Sequence, residues 1–511
     1  MGVKTFAAID VGSFELVMKV FEFAGKNKIR EIDTITRRLD LGSDTYGGGK
    51  ISPLKFDELC RTLKEFAAIM KMYKADAYKA YGTSAIREVS NTEIILDQIA
   101  QRTGIKLEVL SNSEQRFLDY KSIASRGEIF GKIIEDKTAI VDIGGGSIQI
   151  SLFENDTLAA TQNLRLGVLR VQERLNHLNV GSMKMDELVD EMTTAQLSVF
   201  KKMYLKDHTI KNIIVVDDYL SPWAVKMADS DAHKAVAAKE RYEELMARLH
   251  TSSNYEVAQL MDIPEEKAAL ARISAVILRR IVEETGAERI WAPGVTLCDG
   301  IAYEYAQQQK LLTGEHDFEK DILACALNIS KRYMGSRRRA ETLEKIALTI
   351  FDSMKKVHGL GKRERLYLQL ATVLHDCGKY ISMVNMGETS YNIIMATEMI
   401  GLSHREREIV ANIVRYNHSE FAYEEQLRMT DQAAYLTVAK LTAILRLTNS
   451  LDRSHKQKMK GVKARLEEHC LILTAETMED ITLEKGFFEE RADFFQEVFG
   501  IRPVLKQRKS F

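Results

Sequence analysis

The chain has 511 residues, of which 45% are hydrophobic and 28% are charged, with a formal net charge of −1 at pH 7. A single hydrophobic core stops growing at about 250–300 residues, so this length predicts several domains. The balanced charge and the absence of an apolar run of about 18 residues argue against nucleic-acid or membrane binding. The five cysteines show no metal-ligand spacing and are typical of reduced thiols. We therefore expect a cytoplasmic protein with no nucleic-acid or membrane partner.

The chain opens with an apolar strand, residues 6–9, that leads into Asp10, Gly12 and Ser13, and a second strand follows at once. Further along, Gly82-Thr-Ser-Ala-Ile-Arg87 lies at a turn between a strand and a helix. Arg87 could clamp a phosphate with its planar fork or could be an ordinary surface residue. Glu114 follows a short strand at a helix N-terminus, where it could be a cap or could activate a water.

The same pattern starts again at residues 139–141, where an apolar strand delivers Asp142, Gly144, Gly145, Gly146 and Ser147. Glycine has no Cβ atom, so the backbone can turn tightly and bring its N–H groups to a phosphate. An aspartate beside the turn offers the oxygen ligand that Mg²⁺ prefers. A single glycine turn is often only a hairpin, but two on duplicated halves favour a phosphate-binding cleft. Neither turn is a Walker or a Rossmann loop.

From about residue 317 the pattern changes to long amphipathic helices. His375 and Asp376 follow one of them, and such a pair could share a divalent metal or form a buried polar pair. Basic clusters at residues 337–339 and 456–463 could contact a polyanion or lie on solvated faces. After residue 454 a strand and a helix predict a small α/β domain.

These motifs together resemble the exopolyphosphatase/guanosine pentaphosphate phosphohydrolase (Ppx/GppA) family of the actin/sugar kinase/Hsp70 superfamily. The resemblance rests on the two Asp-x-Gly loops, Gly82 to Arg87, Ser111-x-x-Glu114, residues 293–300 and His375-Asp-Cys-Gly-Lys379. It implies an α/β fold with two duplicated ribonuclease H-like (actin-like ATPase) domains that form a cleft, 1–125 and 126–310. An all-α HD-like domain, 311–453, and a small α/β C-terminal domain, 454–511, would follow.

The resemblance also implies an activity and its residues. The family releases terminal phosphate from inorganic polyphosphate or guanosine pentaphosphate with Mg²⁺, for which Mn²⁺ could substitute, and a homodimer is expected. Carried over, Glu114 activates water and Arg87 clamps phosphate. The phosphate cradle would comprise Gly12, Ser13, Gly144, Gly145, Gly146 and Ser147. Asp142, and secondarily Asp10, would face the metal, and His375 with Asp376 would be candidates for a second metal site.

Several residues depart from the family pattern. Phe14 and Glu15 replace the usual Asn-Ser, Gln149 replaces an acid, and Cys298 replaces an arginine. A glycine turn expected near residues 215–220 is replaced by a segment that contains Asp217 and Asp218. In the HD-like region, Arg339 and Asn449 lie near positions where the family has a histidine and an aspartate.

Two functions remain open from the sequence. The retained Glu114, Arg87, Asp142 and glycine triplet favour an active phosphoanhydride hydrolase. The departures at Phe14, Gln149 and residues 217–218 favour a weak or inactive relative that binds polyphosphate or nucleotide and regulates another process.

Overall fold

The structure is a computed structural model that describes residues 4–25, 27–178, 182–205, 209–217, 219–220, 236–312, 316–423, 432–459 and 461–509. The chain divides into two compact units, Met1–Phe318 and Glu319–Phe511. None of the helices in the described ranges is both long and apolar enough to cross a bilayer.

The first half of the N-terminal unit is built on a five-stranded sheet with strand order β3-β2-β1-β4-β5. Its strands are β1 (Lys4–Val11), β2 (Glu15–Phe23), β3 (Ile29–Arg38), β4 (Ala77–Gly82) and β5 (Glu108–Val109). Its helices are α1 (Leu41–Gly48), α2 (Pro53–Met72), α3 (Ser84–Glu88), α4 (Thr92–Thr103), α5 (Asn112–Ala124) and α6 (Glu128–Glu135). Residues 6–9 of β1 are fully buried, as expected for a central strand covered on both faces.

The second half repeats this plan in a six-stranded sheet with order β10-β11-β9-β6-β7-β8. Its strands are β6 (Thr138–Ile143), β7 (Ile148–Glu154), β8 (Thr157–Leu164), β9 (Asn212–Asp217), β10 (Val236–Ala238) and β11 (Arg289–Trp291). Its helices are α7 (Val168–His177), α8 (Ser182–Phe200), α9 (Lys239–Thr251), α10 (Asn254–Met261), α11 (Glu265–Thr285) and α12 (Leu297–Gln308), with a π turn at Lys201–Leu205.

Equivalent strands pair in the same way in the two sheets. β1 pairs antiparallel with β2 and parallel with β4, just as β6 pairs antiparallel with β7 and parallel with β9. Helix α12 returns to the first sheet, where Leu297, Cys298 and Ile301 pack in one buried cluster with Phe6 and Ala8. The predicted duplication is confirmed, and it places the Asp10 and Asp142 strand ends in equivalent positions.

The C-terminal unit is mainly helical and ends in a three-stranded sheet with order β12-β13-β14. Its helices are α13 (Phe318–Arg332), α14 (Arg337–Ser353), α15 (Lys355–His358), α16 (Lys362–Leu374), α17 (Met386–Ala396), α18 (His404–His418), α19 (Gln432–Ser450) and α20 (Thr482–Phe499). A 3₁₀ turn spans Cys377–Tyr380, and the strands are β12 (Gly461–Leu466), β13 (Cys470–Glu476) and β14 (Arg502–Arg508). The predicted helical region followed by a small α/β part is confirmed.

Candidate phosphate-binding cleft

The two glycine turns lie against each other in the N-terminal unit. Each is closed by the same backbone hydrogen bond, from Gly12 N–H to the Glu15 carbonyl at 3.1 Å and from Gly144 N–H to the Ser147 carbonyl at 3.0 Å. A Cβ atom at Gly145 would lie 2.9 Å from Leu169 Cδ1 and 3.4 Å from Ser13 Cβ. A side chain at Gly145 would therefore force the two loops or α7 apart.

Three hydroxyl groups cross the junction between the loops. Ser13 Oγ lies 2.8 Å from Tyr46 Oη and 2.7 Å from Ser84 Oγ, and the latter two are 2.8 Å apart. A Cβ atom at Gly146 would lie only 2.8 Å from Tyr46 Oη. Burial raises the pKa of Tyr46, so its phenol stays protonated. The first loop, α1, α3 and the second loop thus meet at one polar junction.

A cavity of about 370 Å³ opens beside this junction. Among the described residues that line it, Asp10, Glu15, Asp119, Asp142 and Asp217 carry carboxyl groups and Arg87, Arg116 and Lys267 carry positive charge. Predicted cradle residues that line the cavity are Gly12, Ser13, Gly144, Gly145, Gly146 and Ser147. The structure therefore brings together the predicted phosphate-binding residues, Arg87 and both predicted metal-facing aspartates.

Arg116, which was not singled out from the sequence, occupies the centre of this arrangement. Its guanidinium forms an ion pair with Asp142 and donates to the Ser147 carbonyl at 3.3 Å and to Ser147 Oγ at 3.2 Å. Nη1 also lies 3.7 Å from Asp119. Arg116 is 5% exposed and Asp142 is 7% exposed. The charge of Asp142 is therefore balanced by an arginine from α5.

This geometry does not fit the predicted metal role of Asp142. Mg²⁺ and Mn²⁺ require oxygen ligands, whereas a guanidinium carries five N–H donors and no acceptor. No group of three or more histidine, cysteine, aspartate or glutamate side chains among the described residues is arranged to hold a metal ion. We derive no catalytic step through a metal at this cleft.

Glu114 does not line the cavity, in contrast to the role that the resemblance implies. Its carboxylate accepts from Ser111 N–H at 2.9 Å and from Ser111 Oγ at 2.6 Å, while Ser111 Oγ accepts from Glu114 N–H. This reciprocal capping box fixes the start of α5. The next residue, Gln115, faces the cavity instead. Arg87 Nη1 donates to the Leu110 carbonyl at 2.6 Å and lies 3.5 Å from Gln115 Oε1.

The residues that depart from the family pattern have different surroundings. Gln149 is 3% exposed, and its Nε2 donates to Thr161 Oγ1 on the neighbouring strand, so it lies within the sheet rather than in the cavity wall. Cys298 is fully buried, which raises the pKa of its thiol well above the ordinary value. Glu15 is ion-paired with Lys267. Asp218 lies outside the described residues.

Asp217 is a carboxyl group of the cavity lining with a raised pKa. Burial, with the nearby charge of Asp142 as a smaller cause, raises its pKa to about 6. Its Oδ1 accepts the backbone N–H groups of Tyr219 at 2.5 Å and Leu220 at 3.0 Å, and its Oδ2 accepts from Ser274. These bonds hold the side chain in one position at the end of β9.

The C-terminal unit contains a second arginine-centred group of polar side chains. Arg339 lies 3.1 Å from Asp452, 2.6 Å from Asn449 Oδ1 and 3.6 Å from Asp376, and its Nη1 also contacts His375 Nε2. Burial, together with the charge of Arg339, lowers the pKa of His375 to about 4, so the ring is neutral. His375 and Asp376 thus lie together, as predicted, but around a guanidinium rather than in a metal-binding arrangement.

Comparison with known proteins agrees with this architecture. A model of the Ppx/GppA phosphatase family matches residues 20–309. The chain belongs to this family. A second model, for domain III of the Ppx/GppA phosphatases, matches residues 324–493. The resemblance inferred from the sequence is therefore confirmed, and membership of a phosphatase family supports a hydrolase function.

Ppx/GppA relatives cover most of the chain at low identity. A guanosine-5'-triphosphate,3'-diphosphate pyrophosphatase of Photobacterium profundum is 22% identical over 467 residues, which are 86% of this chain and 85% of the relative. The enzyme of the same name from Aeromonas hydrophila is 23% identical over 437 residues, 82% of each chain. The crystal structure of an exopolyphosphatase from Cytophaga hutchinsonii has a TM-score of 0.52 at 17% identity, covering 61% of this chain and 100% of its own. That likeness shows the fold.

Sequence reasoning missed several side chains of the cleft, among them Tyr46, Gln115, Arg116, Asp119 and Lys267. Tyr46 lies 33 residues after Ser13 in the sequence, and only the packing of α1 on the loops places it there. Gln115 and Arg116 directly follow Glu114. The helical periodicity of α5 could have indicated that they point in other directions than Glu114. Because adjacent helical residues point about 100° apart, the cap position of Glu114 turns the following residues toward other surfaces.

Proposed function

We propose that the cleft of the N-terminal unit binds the terminal phosphates of inorganic polyphosphate or guanosine pentaphosphate and that the chain hydrolyses the terminal phosphoanhydride. The observation that carries this proposal is the contact between the two glycine loops, which leaves no room for a side chain at Gly145. Bare backbone beside a polar cavity is the arrangement that phosphate groups require. The names of the relatives supply the two substrate classes.

The cleft can position a phosphate chain with its own residues. Arg87 supplies positive charge, Lys267 adds a positive charge that is paired with Glu15, and Ser13 and Ser84 supply hydroxyl groups. Phosphoryl transfer depends mainly on positioning the phosphate and on stabilising the charge of its oxygens. The neutralisation of Asp142 by Arg116 removes a charge that would otherwise repel the phosphate.

Hydrolysis also needs a group that accepts the proton of the attacking water. Gln115 in the cavity wall is an amide and is not basic, and Glu114 is engaged in its capping box. Among the carboxyl groups of the lining, Asp217 has the pKa of about 6 that suits a general base near neutral pH. We assign proton acceptance to Asp217, while the catalytic role of Glu114 stays a prediction.

A second candidate function is phosphate binding without appreciable turnover. The ion pair of Arg116 with Asp142 favours it, because it removes a carboxylate that the resemblance gives to the metal. The chain would then report on polyphosphate or nucleotide levels instead of cleaving them. The cytoplasmic location and the homodimer stay predictions under either function.

The two functions are separated by phosphate release together with binding. Release from long-chain polyphosphate and from guanosine pentaphosphate should be measured for the full chain and for Asp217→Asn, with and without Mg²⁺. We expect release that the substitution reduces by at least about 100-fold, the range of general-base contributions. If neither protein releases phosphate but tripolyphosphate raises the melting temperature, the binding function stands instead. Absence of both release and binding overturns the proposal.

A further inference from the structure

A separate cavity of about 220 Å³ lies within the C-terminal unit. Its wall is formed by the loop before α17, the ends of α18 and α19, and one face of α20. Among the described residues, the charged members of the lining are Arg446, Arg453 and Arg491, and no carboxyl group lines it. Three arginines around one concave surface without an acid form a strong candidate for anion binding.

Arg446 forms the fixed base of this cavity. It is 6% exposed, and its Nε donates to the Tyr416 carbonyl at 2.6 Å while Nη2 donates to the Ser419 carbonyl. These two bonds set the orientation of the guanidinium. Its remaining N–H groups form no hydrogen bond with the described residues. Burial, followed by the charge of Arg491, lowers the pKa of Arg446 to about 10. A bound anion would relieve this repulsion.

The other two arginines have no acidic partner among the residues that the structure describes. Within the described ranges, neither Arg453 nor Arg491 forms an ion pair, and Arg453 lies 4.5 Å from the ring centre of Phe487. Such a cation–π contact orients the guanidinium without using its charge. One exposed and one half-buried arginine therefore line the cavity with a buried one, and each guanidinium is a planar fork that suits phosphate oxygens.

Asn417 adds a buried polar group to the wall. Its side chain is 4% exposed, and its Oδ1 has no hydrogen-bond partner among the described residues. His418 Nε2 donates to the His375 carbonyl at 2.5 Å, so this nitrogen cannot accept from the Asn417 amide. Rotating the amide by 180° puts its oxygen, instead of a second donor, beside this N–H and leaves the NH₂ group where Oδ1 has no partner. A phosphate oxygen is an acceptor for this NH₂ group.

Part of the rim of the cavity is apolar. Val384 is 99% exposed and Met383 is 70% exposed, and both belong to the lining together with Phe487. Large apolar side chains this exposed beside a cationic base match a ligand that has an anionic end and a flat apolar end. A cavity of this size accepts a short phosphate chain and leaves the remainder of the ligand at the rim.

We propose that this cavity is a second ligand site, which binds the diphosphate group of a nucleotide on Arg446, Arg453 and Arg491 and holds the base against Phe487 and Val384. The site is independent of the N-terminal cleft and of the reaction proposed there. Nucleotides and inorganic phosphate chains share the diphosphate group, and the apolar rim favours the nucleotide.

Calorimetric titration of the full chain tests this site with ADP, pyrophosphate and adenosine. The background is Arg87→Glu, which weakens phosphate binding in the N-terminal cleft. The test variant adds Arg453→Ala and Arg491→Ala, two side chains that are not fully buried. Arg465→Ala is the matched control, because this arginine is 81% exposed on β12 outside the cavity.

We expect ADP to bind at least tenfold more weakly to the test variant and equally well to the control. ADP should also bind more tightly than pyrophosphate, and adenosine should not bind. Equal ADP affinity in the test variant overturns the site, and pyrophosphate binding as tight as ADP overturns the nucleotide assignment. If the double substitution unfolds the unit, Arg491→Glu alone gives the same test with one side chain changed.

Discussion

Arg116 in the N-terminal unit and Arg339 in the C-terminal unit have similar chemical surroundings. Each is about 95% buried, and each pairs with an aspartate that the solvent barely reaches, Asp142 or Asp452. They differ in what lies next to them. Arg116 lines a cavity of about 370 Å³, whereas Arg339 is enclosed by Asp452, Asn449 and His375 and lines neither that cavity nor the cavity of about 220 Å³ in its own unit.

This difference separates a structural arginine from one that can act on a ligand. A buried ion pair contributes little net stability compared with apolar residues, but the loss of one partner is costly because the other charge remains buried. Beside a cavity, water reaches the remaining charge and reduces that cost. We therefore expect the two arginines to respond differently to the same substitution.

The largest effect is expected for Arg339→Ala. It leaves Asp452 buried without its cation, which should destabilise the C-terminal unit by about 3–5 kcal/mol. Urea unfolding of the full chain measures this loss. Arg337→Ala is the matched control on the same helix, since its side chain is 82% exposed and should change stability by less than about 0.5 kcal/mol. A similar loss in both variants would show that the buried contacts are not the cause.

The next prediction concerns the pH dependence of stability, which should have opposite signs in the two units. The pKa of Asp217 is raised from 3.8 to about 6 in the folded protein. The protonated Asp217 therefore stabilises the folded protein fully below pH 3.8, and this stabilisation is lost as the pH rises through about 6. The loss in the free energy of unfolding is at most about 3 kcal/mol, at about 1.4 kcal/mol per pKa unit. Asp217→Asn should remove this loss in the N-terminal unit.

His358 should have the opposite dependence in the C-terminal unit. Burial lowers its pKa below the ordinary 6.5, and the neutral ring donates to the Phe351 carbonyl and accepts from Leu360 N–H, each at 2.9 Å. Stability is therefore lost as the pH falls below 6.5. Urea unfolding between about pH 4 and pH 8 checks both signs, and His358→Gln should flatten the acid side. A parallel response of both variants would contradict the assignment.

A smaller loss is expected for Arg116→Ala. Asp142 keeps access to the cavity, so the cost should be about 1–3 kcal/mol, as for an unsatisfied polar group. The freed carboxylate could then bind Mg²⁺, which should raise the melting temperature of this variant but not that of the unchanged chain. Equal Mg²⁺ stabilisation of both proteins would show that the ion pair does not exclude the metal.

The smallest effect is expected for Glu114→Ala. Loss of the capping box should cost about 1 kcal/mol of stability, the usual value for a helix cap. We expect the rate of phosphate release to stay unchanged, because the Glu114 carboxylate is bonded to Ser111 and does not line the cavity. Ser111→Ala is the control that breaks the same cap. A large loss of release in Glu114→Ala alone would restore the catalytic role given by the resemblance.

The sequence predicted the elements of the fold well because local patterns determine them. The Asp10 and Asp142 strands are short, continuous apolar runs followed by glycine, a pattern that is typical of buried central strands. The partners of the predicted residues could not be derived in this way. Asp142 meets Arg116 only because α5 packs against the second sheet, and sequence spacing carries no information on that distance.

The family resemblance predicted more of the site than residue patterns alone. It matched Arg339 and Asn449 to positions near those where the family has a histidine and an aspartate, and the structure brings both residues together with His375 and Asp376. It also assigned Glu114 to the cleft, where Gln115 lies instead. A family motif predicts where the backbone of a residue lies in the fold. The direction of the side chain depends on local hydrogen bonds, such as those of the capping box at Glu114.

The most direct test of the cleft is tripolyphosphate binding in the presence of EDTA. The variant Arg453→Ala with Arg491→Ala serves as the background, so that the C-terminal cavity does not contribute. We expect binding that needs no divalent metal and that Arg116→Ala weakens at least tenfold, because an uncompensated Asp142 repels phosphate. Binding that occurs only with Mg²⁺, or that is the same in both proteins, would contradict a phosphate cleft in which Arg116 neutralises Asp142.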